Sequence, residues 1–282
     1  MTTQTRRTML ITGANGGMGK NIARRLGSTA NLILTDIALG PLDAFAATLT
    51  DEGYTVLETT AGDLADDQVL SKLVDASKQH GGLDAVVHTA GLSPTQADWQ
   101  KILHVNIVAT QRLLAAIAPC VNAGGAAVLI ASMAGYVDPS MPDADNILDG
   151  TLVDTTLDQV KPFLYPSGTD NAQAEAIASQ LAYVLSKRGV IRLVERSAAE
   201  WGARQTRIVS ISPGLIYTPM GIKESESDER TKSTIAAQPI NRWGTASDIA
   251  GAVEFLLSDG ASFITGCDLR VDGGASLLSK TA

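Results

Sequence analysis

The chain has 282 residues, 22 Lys plus Arg against 30 Asp plus Glu, a formal charge of −8 and 45% hydrophobic residues, enough apolar matter to bury a sizeable core. The acidic balance and the absence of a dense Lys/Arg run exclude a nucleic-acid partner, since phosphates demand cations. The opening MTTQTRRTML holds no apolar signal stretch and nowhere do 18 apolar residues run together, so a cytoplasmic chain without a membrane span is expected.

Seven short runs rich in β-branched residues follow in chain order, at 8–12, 31–36, 54–58, 84–88, 126–131, 206–211 and 267–271. Helix-like segments separate them. Strands alternating with helices predict an α/β fold, a doubly wound seven-stranded parallel sheet with its ligand crevice at the strands' carboxyl ends. No Pro- or Ser-rich linker and no repeat divides residues 1–282, so one domain is expected. Cys120 and Cys267 are too few for a disulfide framework and stand in no CxxC or Cys/His cluster. Both are expected as reduced, buried thiols, and no metal site is expected.

After the first run comes Thr12-Gly13-Ala14-Asn15-Gly16-Gly17-Met18-Gly19, leading into a helix-like segment. Missing side chains let such a turn approach a pyrophosphate, while the helix N-terminus offers free N–H groups. Asp36 ends the second run, 17 residues beyond Gly19, near the spacing of a carboxylate that binds an adenosine ribose. A carboxylate there repels a 2′-phosphate, and Ile37, Ala38 and Leu39 bring no cation to offset it. NAD is therefore expected over NADP.

Residues 137–180 interrupt the alternation, with eight acids against one base, Lys161. Leu148, Leu152, Val153, Leu157, Val160 and Leu164 recur at helical spacing, which predicts an amphipathic helix packed on the domain with its acids in water. Beyond it, Tyr183 and Lys187 stand four apart on one helix face, about 6 Å apart along the axis. A free tyrosine is a poor base at neutral pH, and a nearby Lys favours its phenolate. Tyr183 is thus the expected general acid/base, and Ser132, ending the fifth run, is placed to hydrogen-bond a substrate oxygen.

The Gly13, Gly17, Gly19 spacing with Tyr183-xxx-Lys187 resembles the short-chain dehydrogenase/reductase superfamily. Further marks stand in register: Asp63-Leu64, Ala90-Gly91, Asn106, Ser132, Pro213-Gly214 with Thr218, Arg242-Trp243-Gly244 and Val271-Asp272-Gly273-Gly274. The resemblance covers nearly the whole chain. It implies a Rossmann-type domain with Asn106, Ser132, Tyr183 and Lys187 as catalytic residues. It also implies a cofactor site from Gly13, Asn15, Gly17, Met18, Gly19, Asp36, Asp63, Leu64, Ala90, Gly91, Pro213, Gly214, Ile216 and Thr218, with Tyr183 and Lys187. In that scheme Lys187 binds the nicotinamide ribose and Asn106 holds a water of the proton relay. The chain departs from the family at His88-Thr89-Ala90-Gly91, where many members have Asn-Asn-Ala-Gly, so bracing of the neighbouring strand is expected to pass to His88.

Ser132 and Tyr183 are 51 positions apart, far more than in most members, whereas Gly91 to Asn106 is short. This pairing resembles bacterial 3α-hydroxysteroid dehydrogenase/carbonyl reductase. It implies a small-molecule partner, a bulky apolar secondary alcohol or ketone, met by Ser132, Met133, Tyr183, Leu215 and Met220. Residues 215–240 read as a substrate lid, apolar at its base and solvated from Glu224 to Arg230. An acyl-carrier ketoreductase and a catalytically silent NAD-binding sensor are the alternatives. A homo-oligomer is expected, a dimer over a tetramer. Like charges on the insertion would crowd one shared face, while Ile249, Val253 and Leu256 mark the other.

Overall fold

Every β-branched run becomes a strand: β1 (Arg7–Thr12), β2 (Ala30–Asp36), β3 (Val56–Ala61), β4 (Leu83–His88), β5 (Val121–Ile130), β6 (Arg207–Pro213) and β7 (Asp268–Val271). The structure, a computed structural model, describes residues 6–137, 141–165, 171–227 and 230–280. The strands form one parallel sheet in the order β3-β2-β1-β4-β5-β6-β7. Strand order reverses between β1 and β4, which sets the crevice at their carboxyl ends.

Helices cover both faces, as a parallel sheet requires. One face carries α1 (Gly17–Gly27), α2 (Leu39–Asp51) and α11 (Ala246–Leu257), which pack on Ile11, Leu32, Leu34, Val87, Val128 and Val209. The other carries α3 (Asp67–Gln79), α4 (Trp99–Leu103), α5 (Ala109–Ile117) and α8 (Asn171–Ala203), over Leu10, Ile33, Val86, Leu129 and Ile208. Before α8 lie α6 (Pro142–Leu148) and α7 (Asp154–Leu164), and after β6 lie α9 (Pro219–Ser227) and α10 (Arg230–Ala237). The stretch Trp99–Cys120 is long and apolar enough to cross a membrane by length and composition, but 61% of its most apolar window is buried inside the protein. It is a core element, joined across a single π turn at His104–Val108.

The insertion differs from the single helix expected. It breaks into α6 and α7 around Gly150, leaving Val153 exposed while Leu148, Leu152, Leu157, Val160 and Leu164 are buried. Its acids are not all in water either. Arg188, Arg192 and Arg196 succeed one another every fourth residue along α8; Arg188 pairs with Asp145 at 3.3 Å, and Asp149 accepts from both Arg192 and Arg196. Each buried leucine stabilises by roughly 1.5–3 kcal/mol, and the partly covered arginine pairs fix the register of the insertion on α8. Gln111 of α5 adds two bonds, accepting from the Leu152 amide at 2.8 Å and donating to the Gly150 carbonyl at 3.1 Å. Asp138 and Asp170, two of the acids counted in the insertion, lie outside the described residues. Cys120 is buried as expected, but Cys267 is exposed, because it leads into β7, which has a neighbour on one side only.

Candidate active site

A groove of about 420 Å³ runs across the switch point, lined by Gly13, Asn15, Gly17, Met18 and Gly19 from the first loop, Asp36, Asp63 and Leu64, Ala90 and Gly91, and Thr218. The loop is pressed too close for side chains: a Cβ on Gly19 would lie 2.1 Å from the Gly13 carbonyl oxygen. Gly13 itself holds φ at +62°, in the left-handed region that glycine tolerates. No side chain caps α1, so its first-turn N–H groups and dipole face an anion site. Asp36 is fixed at the groove wall, its two oxygens accepting from the backbone N–H groups of Asn15 at 2.9 Å and Ile37 at 2.8 Å. Each oxygen keeps a lone pair for a further donor. Lys101 is the cation of the described lining, and it is engaged by Asp63 at 2.9 Å. These residues fit a dinucleotide: a backbone cradle for phosphates and a carboxylate for ribose hydroxyls.

At the end of this groove lies a cavity of about 70 Å³ lined by Ser132, Tyr183, Lys187, Pro213, Gly214, Ile216, Thr218 and Met220. Three strand ends and α8 build it. Ser132 follows β5, caps the short turn Met133–Tyr136 by accepting from the Ala134 amide at 3.1 Å, and shares the cavity wall with Tyr183. Lys187 is buried, donates to the Ile130 carbonyl at 3.0 Å, and lies 5.9 Å from the Tyr183 ring centre. Burial pushes its ammonium down to about 8, with Glu224 opposing. The phenol of Tyr183 is driven well above its ordinary range, by burial first and then by Glu224, while Ser132 pulls it back. The expected lowering by Lys187 is not found here. With its own pKa down at about 8, Lys187 is already neutral where so high a phenol would ionise, so it adds no field there.

Asn106 sits in the π turn and commits its amide to the fold. Its Oδ1 accepts from the Leu92 amide at 2.8 Å, and its Nδ2 donates to the Leu92 carbonyl and to Ser186 Oγ, both at 3.0 Å. That ties the loop after β4 to α8 beside Lys187. His88 takes the bracing role expected of it. Thr110 donates its hydroxyl to the Asn106 carbonyl at 2.8 Å and so receives a proton from His88 Nε2 at 2.8 Å. His88 Nδ1 is then an acceptor for the Thr12 hydroxyl at 2.7 Å, which links β1 to the π turn. Burial, and secondarily Lys187, pushes the imidazole down to about 3 and keeps it neutral.

Two expected substrate residues stand elsewhere. Leu215 lines a separate cavity of about 360 Å³ with Gln238, Arg242 and Arg270, and of its stretch only its neighbours Gly214 and Ile216 border both cavities. Met133 lies within the turn that Ser132 caps and does not line the cavity. The residue missed is Glu224, which was expected in solvent and lines the catalytic cavity instead. One signal was available: Met220, expected at the substrate, lies four residues earlier, on the same face of a helix.

Residues 7–142 match the short chain dehydrogenase family, and residues 169–276 match a family described as enoyl-(acyl carrier protein) reductase. A short-chain dehydrogenase/reductase of Alternaria brassicicola is 32% identical over 95% of both chains. Levodione reductase of Leifsonia aquatica is 28% identical, covering 96% of this chain and 95% of its own. A solved short-chain type dehydrogenase/reductase from Mycobacterium ulcerans superposes with a TM-score of 0.75 at 27% identity, covering 97% of this chain and 90% of that one. The chain belongs to the short-chain dehydrogenase/reductase family, whose members are oxidoreductases that bind a nicotinamide cofactor and act on small molecules.

Proposed function

We propose that the protein is an NAD-dependent dehydrogenase/reductase for a bulky, largely apolar secondary alcohol or ketone, of the steroid or xenobiotic-carbonyl kind, working in the cytoplasm. The observation that carries this reading is the convergence of Ser132, Tyr183 and Lys187 on one cavity at the end of a groove whose wall is Asp36. Leu92, Ile216 and Met220 supply apolar wall there. When bound, the nicotinamide group supplies the hydride acceptor or donor.

The chain's own residues handle the proton and the charge. Ser132, on the same cavity wall as Tyr183, holds the substrate oxygen against the phenol. Tyr183 takes the hydroxyl proton during alcohol oxidation and returns it during carbonyl reduction. Lys187, anchored on the Ile130 carbonyl, keeps a positive charge beside the phenol oxygen and so favours the anion that oxidation requires. Asn106 positions Lys187 by fastening the adjoining turn of α8 through Ser186.

Nicotinamide reduction measured across steroid, terpenoid and aliphatic secondary alcohols, with NAD and NADP in parallel, tests the reading. Turnover with an apolar cyclic alcohol is expected, with NAD favoured at least tenfold in kcat/KM because a 2′-phosphate would meet Asp36 without a free cation. Equal efficiencies would remove Asp36 from its role. Binding without turnover for any alcohol or ketone would favour a silent sensor.

A further inference from the structure

The catalytic end of the groove is nearly filled. Its 70 Å³ is far below the roughly 300 Å³ at which ligand sites begin, whereas the nucleotide groove beside it opens to about 420 Å³. What fills it comes from α9. This helix starts at a fixed point, since the Gly221 amide donates to Thr218 Oγ1 at 3.2 Å and the Ile222 amide to the Thr218 carbonyl at 2.8 Å. Thr218 in turn lies against the glycine loop, where a Cβ on Gly17 would come within 2.8 Å of it. One helical turn further, Glu224 lines the cavity, comes near Ser93 beyond β4, and shares the cavity wall with Lys187 and Tyr183 on α8.

A carboxylate leaves water only when partnered. Ser93 and Lys187 both act to keep Glu224 charged, and burial still raises its pKa against them. Lys223 and Glu226, its neighbours on α9, are exposed and face away, and His88 beyond Lys187 is neutral. The contact therefore spans the mouth of the site, from the lid helix to the loop after β4 and to the catalytic helix.

We propose that Glu224 is a displaceable counter-ion of Lys187 that closes the catalytic cavity until the nicotinamide end of the cofactor enters. This rests on the nicotinamide-dependent reading above. Entry moves Glu224 and α9 outward, and Lys187 exchanges the carboxylate for neutral ribose hydroxyls. Tyr183 and Lys187 then share the cavity with the cofactor in place of the carboxylate, so the proton-transferring pair is set only in the binary complex. Glu224 is thus a positioning residue that acts through Lys187.

Stopped-flow and equilibrium fluorescence with NADH, using AMP as a probe of the adenosine end alone, test this on the full chain. Glu224→Ala removes both plug and charge and is expected to raise the NADH association rate about tenfold; Glu224→Gln, which keeps the bulk, gives a smaller rise. AMP affinity stays unchanged in both. Ser93→Ala, which loosens the same contact from the other side, moves NADH association in the same direction and guards against a lid mutation that merely unfolds α9. The pH dependence of NADH association flattens in Glu224→Gln, a readout that a purely structural brace would not move, while the pH profile of kcat/KM for alcohol oxidation keeps its wild-type position. Unchanged or slower NADH association in Glu224→Ala, with AMP binding intact, overturns the proposal. Failure of the wild-type protein to bind either NADH or AMP would sink the nicotinamide reading itself.

Discussion

Tyr183 carries the sharpest test of the chemistry. Replacing it by Phe removes the transferable proton and leaves the glycine loop and Asp36 untouched, so kcat is expected to fall by about three decades while NADH still binds. Near-normal turnover in that variant would show that the proton comes from elsewhere. Lys187→Met is expected to impair both turnover and cofactor affinity, because the same ammonium serves both. His88 makes a different kind of prediction. Its ordinary pKa of 6.5 applies to the unfolded chain, whereas the fold holds it at about 3. The unfolded state therefore binds this proton first, and stability falls as pH drops through that window and is unaffected above it. Nuclear magnetic resonance of the imidazole at pH 5 should show the neutral Nε2–H form, and a titration near pH 6 would refute the Thr12–His88–Thr110 chain. The placement of Asp36, Tyr183 and Lys187 along one groove was legible in the sequence because each rests on local spacing: a strand end, or two residues on one helix face. Glu224 was not legible as a site residue. Its charge run reads as solvated, and only the fold brings α9 back over α8.

Among the elements, α8 does two jobs. Its Tyr183 and Lys187 face the cavity, and its Arg188, Arg192 and Arg196 hold the insertion. Arg188 also donates to the Val137 carbonyl at 2.8 Å and to the Gly135 carbonyl at 3.4 Å, so the turn that positions Ser132 is fastened from the residue next to Lys187. Asp149 is the hub of the ladder, and its hydrogen bond from Arg192, with Arg196 adding to it, holds its carboxyl below the ordinary range. Asp149→Asn is expected to lower stability by about 1–2 kcal/mol in urea unfolding, between the values of a charged hydrogen bond and a surface pair. Hydrogen exchange should quicken in residues 141–165 and stay unchanged in the sheet. Because the folded pKa is depressed, this contribution is complete above about pH 3.8 and is lost as pH falls below that value. An unchanged exchange rate in the insertion would mean that leucine packing alone holds it. Strand existence was readable from β-branched runs, but β3 starts two residues later than its run predicted, since Tyr54 turns back against α1 near Gly27. The break between α6 and α7 was hidden because the leucine spacing runs on past Gly150, and the arginine partners of the acids lie some forty residues further along the chain.

At the scale of the whole molecule, the question is which face meets a second copy. The helical face that includes Asn106 and Tyr183 is overlaid by α6 and α7, which pack on α8 and bond to Gln111 of α5. The obstacle to pairing there is steric more than electrostatic, since Asp145 and Asp149 are matched by arginines of the same chain. The opposite end offers a better surface, though not through the residues expected from spacing. Ile249, Val253 and Leu256 of α11 are fully buried against the sheet. Phe255 on α11, Phe263 in the following turn and Leu269 on β7 are the exposed apolar side chains, and β7 leaves one edge of the sheet unpaired. A two-fold axis beside β7 would cover all three phenylalanine and leucine side chains together with that edge. We therefore expect a homodimer built on α11 and β7, held by apolar burial and so indifferent to salt. Sedimentation at micromolar concentration should give a dimer in both low and high salt, and Phe263→Ser should shift it toward monomer while leaving the cofactor groove intact. A salt-independent tetramer would show that α6 and α7 do not block their face, and a Phe263→Ser protein that stays fully dimeric would move the interface away from β7.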